Sequence, residues 1–150
     1  MRLAVASDHG GFSLKQEIIH YLKEKKIEVL DLGNHGPDSV DYPDYAIKVA
    51  EMVSTGQADA GILMCGTGIG MSITANKFKN VRAAVVSDEY TAEMSKRHNN
   101  ANILVLGSEH IFDDPDRIVR AWLGASFEGG RHDRRVKQIS QIVQNIDKWI

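Results

Sequence analysis

Five times along this chain a short apolar run gives way to a stretch with helical spacing, and that alternation narrows the fold more than any other feature. Leu3-Ala4-Val5-Ala6 reads as a first strand, closed by the turn Ser7-Asp8-His9-Gly10-Gly11. Ser13 and Gln16 have capping-box spacing, and Leu14, Ile18, Tyr21 and Leu22 then recur at helical intervals. Residues 27–32 form a second strand, followed by the loop Gly33-Asn34-His35-Gly36-Pro37. Pro43 suits the first turn of a helix whose apolar face is Ala46, Val49, Ala50 and Val53. A third strand over residues 58–63 leads to Cys65, and residues 72–77 read as a helix. Residues 81–86 are a fourth strand, and Asp88 caps a helix running through Tyr90 and Met94 towards His98. Residues 103–106 are a fifth, ended by Gly107; Asp114-Pro115 then opens a helix that stops near Gly124. Such alternation predicts an α/β fold, with parallel strands and helices on both faces. Ligands of these sheets bind outside the carboxyl ends of the strands, where Asp8, His9, Cys65, Thr67 and Asp88 fall.

The chemistry concentrates at Met64-Cys65-Gly66-Thr67-Gly68-Ile69-Gly70-Met71. The single cysteine sits where a buried strand ends and a helix begins. Three glycines at alternate positions let the backbone turn sharply and bring N–H groups close to a ligand. A helix N-terminus favours negative charge, so it stabilises both a bound oxyanion and a cysteine thiolate. The plainer alternative is a small core cysteine beside a glycine turn.

Several sharper motifs fail here. The third glycine of a dinucleotide fingerprint is replaced by Met71, and no lysine follows the glycines as a phosphate-binding P-loop requires. A cysteine phosphatase wants an arginine six positions after its cysteine, and Met71 stands there too. A nucleophilic cysteine hydrolase stays open. Neither the histidines nor the cysteine show a zinc spacing, and His20, His35 and His110 read as surface residues.

Composition bounds the partners. The 150 residues make one domain, and the formal charge of -2 gives no support for a nucleic-acid surface. No apolar run approaches transmembrane length, and the N-terminus lacks the apolar core of a signal peptide. One cysteine excludes an internal disulfide and fits a reducing cytosol, so a cytoplasmic protein is expected.

Beyond Phe127-Glu128-Gly129-Gly130 lies a last helix with apolar residues Val136, Ile139, Val143, Ile146 and Ile150. That narrow seam fits packing on its own sheet and packing on a partner subunit equally. Arg131, His132, Arg134 and Arg135 crowd its start, where cations oppose the helix dipole. An anion held between the arginines would turn that penalty into a site, since guanidinium forks match phosphate oxygens. A solvated basic turn is the alternative. His98, between a helix and a strand, is placed either to move protons near neutral pH or simply to end a helix in solvent.

At these residues the chain resembles the RpiB/LacAB family of sugar-phosphate isomerases. The matching pieces are Ser7-Asp8-His9-Gly10-Gly11-Phe12, Asp41-Tyr42-Pro43, Cys65-Gly66-Thr67-Gly68-Ile69-Gly70, Ala75-Asn76-Lys77, Arg97-His98-Asn99 and Glu128-Gly129-Gly130-Arg131-His132. They run in order along nearly the whole chain, and their combination is highly specific. The resemblance implies a three-layer α/β/α sandwich with a five-stranded parallel sheet, plus a C-terminal helix. It implies interconversion of ribose 5-phosphate and ribulose 5-phosphate in the pentose phosphate pathway, with no metal and no cofactor.

It also implies roles. Cys65 would be the base that moves the proton between C2 and C1, assisted by Thr67. Backbone N–H groups between Gly66 and Gly70, Gly68 among them, would hold the enediolate oxygens with the Asn99 side chain. His98 would open the furanose ring, with Asp8 taking part at the sugar. His9, Arg131 and Arg135 would bind the phosphate, and Tyr42 would line the pocket. Some members use a glutamate elsewhere as the base; this chain has the cysteine form. The family's sites lie between two subunits, which favours the partner reading of the last helix and a homodimer, or a dimer of dimers. The sugar stays open. Allose 6-phosphate or galactose 6-phosphate would need a longer pocket around the same groups, and a non-catalytic phosphosugar- or nucleotide-binding module has the same fold signature.

Overall fold

The computed structural model of the chain describes residues 1–144. Among them the strands β1 (Arg2–Ser7), β2 (Glu28–Asp31), β3 (Ala60–Cys65), β4 (Ala83–Val86) and β5 (Ile103–Gly107) form one sheet. Every pairing is parallel, and the order is β2-β1-β3-β5-β4. The helices are α1 (Phe12–Glu24), α2 (Tyr42–Ser54), α3 (Ile69–Ala75), α4 (Glu89–Asn99), α5 (Pro115–Gly124) and α6 (Arg131–Gln144).

Side chains alternate across a strand, so the two faces of the sheet bury different sets. Leu3, Val5, Ile62, Met64, Leu104 and Leu106 pack with residues of α1, α4 and α5, among them Ile18, Ala92 and Trp122. Ala4, Ala6, Leu63, Cys65, Ile103 and Val105 pack with α2 and α3 through Ala46, Val49, Met71 and Ala75. Both faces are covered, which is why the central strands read as unbroken apolar runs. The expected three-layer α/β/α architecture is present, and α6 packs against α4.

The strand order creates the crevice. The chain leaves β1 and β5 towards the face of α1 and α5, but leaves β3 towards the face of α3. The loop after β3 therefore diverges from both neighbours, and a crevice opens on either side of Cys65.

Several local expectations are corrected. The Ser13–Gln16 capping box does not form: α1 starts at Phe12, with Gly11 at the cap position and no side-chain cap. The Asp8 carboxylate takes the Gly11 N–H at 3.1 Å and starts the helix there, so Ser13 already lies inside the first turn. Lys15, unremarked in the sequence, is fully buried on the core side of α1 and paired with Asp31 at 2.7 Å. β4 begins at Ala83, because the Arg82 N–H is taken by the Asn102 side chain at 2.8 Å. α3 begins at Ile69, three residues early, on a left-handed Gly68. In the expected seam of α6, Val136 is buried, while Ile139 is 45% exposed; Ile142, outside that seam, is 52% exposed. The side chain of Val143, and Ile146 and Ile150, lie outside what the structure describes. Among the described residues no helix is long and apolar enough to cross a membrane.

Candidate active site

Three turns meet at the carboxyl end of the sheet. After β1, the buried Asp8 holds the turn into α1. His9 beside it is exposed, and the Val40 N–H donates to its Nδ1 at 3.2 Å. A neutral imidazole that accepts at Nδ1 carries its proton on Nε2, which leaves a donor for an anion.

After β3 comes Cys65, 5% exposed, with the Gly68 N–H aimed at its Sγ at 3.0 Å. Gly68 turns the chain at a φ of 79°, a region open to glycine and costly for side chains. The exposed Thr67 accepts the Ile69 N–H on its Oγ1 at 3.2 Å. Two amides of the glycine turn are thus engaged within the turn itself.

The turn after β5 braces this one. A Cβ on Gly107 would lie 2.5 Å from the Thr67 carbonyl, so only glycine lets the two backbones approach. The Ser108 and Glu109 N–H groups donate to the carbonyls of Cys65 and Gly66 at 2.8 and 3.0 Å. The Ser108 hydroxyl donates to the Gly10 carbonyl at 2.9 Å and ties in the first turn. From the start of α2, Tyr42 lies against Gly70, where a Cβ would come within 2.5 Å of its ring. Asp8, His9, Tyr42, Cys65, Gly66, Thr67, Gly68 and Gly70 therefore stand together. Asp88 is also at this end, but on the edge strand and engaged in capping α4. Its Oδ1 accepts the Thr91 N–H at 2.7 Å and the Thr91 hydroxyl at 2.8 Å, and these bonds hold its carboxyl below the usual range.

The other expected residues gather at the opposite end. α4 descends from Asp88, and its 11 residues span about 16 Å at about 1.5 Å each. His98 and Asn99 lie in its last turn, beside the amino end of the sheet. Arg131 and Arg135 join them, exposed, from the start of α6. The Glu128 N–H donates to the Arg97 carbonyl at 3.0 Å and pins this corner to α4. The basic start of α6 is offset by acid: Glu128 just ahead of it, and Asp133 in its first turn, paired with Lys137 at 2.7 Å.

His132, expected in a basic turn, is buried instead. Its ring stacks on His98 with centroids 4.4 Å apart and planes at 9°. Loss of solvent, then the neighbouring His98 and Arg131, hold its imidazole below the ordinary histidine range, against the pull of Glu128. Hydrogen bonds from Arg97 hold the Glu128 carboxyl low. The absence of zinc spacing in the sequence hid a real cluster: the ligand atoms of His98, Glu128 and His132 lie within 4.8 Å of one another. The only hint was a carboxylate four residues ahead of a histidine across two glycines.

Fold and residues together define the class. Residues 3–139 match the family model described as Ribose/Galactose Isomerase, and the chain belongs to that family. Within it, the chain is 48% identical over 144 residues to ribose-5-phosphate isomerase B of Escherichia coli (strain K12), covering 95% of this chain and 97% of that one. A solved structure of ribose-5-phosphate isomerase B from Clostridium thermocellum matches with a TM-score of 0.94 at 50% identity, covering 97% and 99% of the two chains. The Mycoplasma genitalium enzyme, solved with bound ribulose-5-phosphate, matches with a TM-score of 0.92 at 44% identity, covering 96% and 97%.

Proposed function

We propose that this chain is an aldose–ketose isomerase that interconverts ribose 5-phosphate and ribulose 5-phosphate through an enediolate. The observation that carries the reading is the Cys65 thiol, buried in a braced glycine turn between two crevices. The thiolate takes the proton from C2 of the open-chain aldose and returns it to C1. The hydroxyl proton passes from O2 to O1 with the help of Thr67, so atoms balance without a redox partner. The Gly66, Thr67 and Gly70 amides and an Asn99 side chain hold the developing oxyanion; Gly68 shapes the turn and faces the sulfur. His98 opens the furanose ring, Asp8 acts at the sugar, and Tyr42 lines the pocket. His9, Arg131 and Arg135 clamp the phosphate.

One chain cannot assemble this set, because the thiol group and the His98 group lie at opposite ends of the sheet. A homodimer resolves the separation: each site combines Asp8, His9, Tyr42, Cys65 and Thr67 of one chain with His98, Asn99, Arg131 and Arg135 of the partner subunit. Ile69, Ile73 and Val85, which are 57%, 57% and 44% exposed, offer an apolar face beside edge strand β4 for that contact. A base that works as a free thiolate suits the reducing cytoplasm.

NMR exchange of the C2 proton, run on ribose 5-phosphate, allose 6-phosphate and galactose 6-phosphate, tests the reading. Exchange is expected fastest with ribose 5-phosphate, and Cys65→Ala is expected to bind the sugar without exchange. Binding without exchange in the wild-type protein would mean a binding module. Faster exchange with a hexose would change the substrate, and normal exchange in Cys65→Ala would remove the base assignment.

A further inference from the structure

Glu128 and His132 carry chemistry that the isomerase reading leaves unused, and they stand beside His98, which it uses. Arg97 grips Glu128 Oε1 with its Nε at 2.9 Å and its Nη2 at 2.6 Å. The second oxygen, Oε2, is turned to two imidazoles, 3.9 Å from His98 Nε2 and 3.6 Å from His132 Nε2. Both separations exceed a hydrogen bond. His132 Nε2 is buried without a hydrogen-bond partner, on a side chain only 9% exposed, and it faces this gap. Three donor atoms thus converge on one small space.

We propose that His98, Glu128 and His132 bind a divalent transition-metal ion of the zinc type, and that this ion switches the isomerase off. Two imidazole nitrogens and one carboxylate oxygen suit zinc, cobalt or nickel, whereas magnesium and calcium want oxygen throughout. Tetrahedral bonds of about 2.0–2.1 Å put neighbouring ligand atoms about 3.3–3.4 Å apart. The three donors here, all within 4.8 Å, reach that arrangement by closing about 1.5 Å at most. The His98 ring, parallel to that of His132 in the stack, must also turn so that both in-plane lone pairs meet the ion; His98 and Glu128 have that freedom, since their side chains are 37% and 34% exposed. The fourth position is left for a water. Arg97, Arg131 and Arg135 nearby repel a cation, which makes the site reversible rather than a structural metal centre.

Inhibition follows from the donor that is spent. A metal on His98 Nε2 occupies the lone pair that ring opening needs, and it stands among the arginines assigned to the phosphate. This half of the proposal rests on the isomerase reading; the binding half does not.

Titration of metal-stripped protein with Co²⁺, followed by visible absorption, and with Zn²⁺, followed by calorimetry, tests it. One ion per chain is expected. Glu128→Gln, which keeps an amide for Arg97 to grip, and His132→Asn should each weaken binding about tenfold or more. Cys65→Ala should bind as the wild type does, with no sulfur-to-cobalt band lost. Thermal melts of each variant confirm that it is folded, and the exposed Glu128 carries the test if His132→Asn is not. In turnover assays Zn²⁺ should inhibit and a chelator should restore activity, and the zinc concentration that halves each protein's own rate should rise about tenfold in Glu128→Gln. No binding at millimolar zinc, unchanged affinity in a folded Glu128→Gln, or loss of the ion in Cys65→Ala would each overturn the site. Zinc bound at the site with turnover unchanged would overturn the switch. Protein that binds zinc as described but turns over no phosphosugar would sink the isomerase reading and leave the site standing.

Discussion

Mixing two dead variants gives a sharp test of the shared site. Cys65 ends β3 at the carboxyl end of the sheet, and His98 lies in the last turn of α4, a helix of about 16 Å that runs to the amino end. If each site takes its thiol from one chain and its ring-opening histidine from the other, Cys65→Ala and His98→Ala homodimers are both poor enzymes. Unfolding them together in equal amounts and refolding lets chains pair at random, so half the dimers carry one chain of each kind. In such a dimer one site holds both lesions and the other holds neither. Half of the sites in half of the dimers are intact, and activity should return to about one quarter of wild type. The assay is ribulose 5-phosphate formation in the refolded mixture, with native mass spectrometry to count the mixed dimers. If both residues worked within one chain, every site would carry a lesion. Mixed dimers present at half the total with no recovery would refute the shared site.

Three further outcomes follow from particular side chains. Arg135→Ala and Arg131→Ala should each weaken ribose 5-phosphate binding by about 10- to 100-fold, since a hydrogen bond to a charged group contributes about 1.5–3 kcal/mol; equal loss for phosphate-free ribose in calorimetry would remove them from the phosphate. Trp122→Ala should cost about 3–5 kcal/mol, because the ring is fully buried and Lys96 Nζ lies 4.6 Å from its centroid; a urea midpoint near wild type would contradict the packing. His132 should titrate by NMR below the ordinary value of about 6.5. The unfolded chain then takes up this proton first as the pH falls, so stability drops from about pH 6.5 down to the lower pKa of folded His132 and levels off below it. His132→Asn should flatten that slope, and an NMR pKa above 6.5 would show the histidine to be stabilised as a cation.

Much of the architecture was legible in local patterns. The five apolar runs, the helix face Ala46–Val49–Ala50–Val53 and the caps at Asp88 and Asp114 depend on neighbours a few residues away; the face and the caps stand where expected, and each run holds a strand, with β3 and β4 each starting two residues late. The glycine turn around Cys65 was equally plain, because glycine at alternate positions has few other uses beside a strand end. The capping box at Ser13 misled because Asp8, five residues earlier, takes the Gly11 N–H and starts the helix ahead of it.

The sequence by itself pointed to the candidate site residues and determined which elements bear them. Only the tertiary structure decided how those elements stand to one another. The order β2-β1-β3-β5-β4 pairs strands far apart along the chain, and no local pattern encodes it. That order puts the Cys65 loop between two crevices and leaves the His98 group at the far end. Burial of Lys15 against Asp31, and the convergence of His98, Glu128 and His132, likewise join residues distant along the chain. Periodicity reports which face of an element is buried; it carries no information about what the buried face will meet.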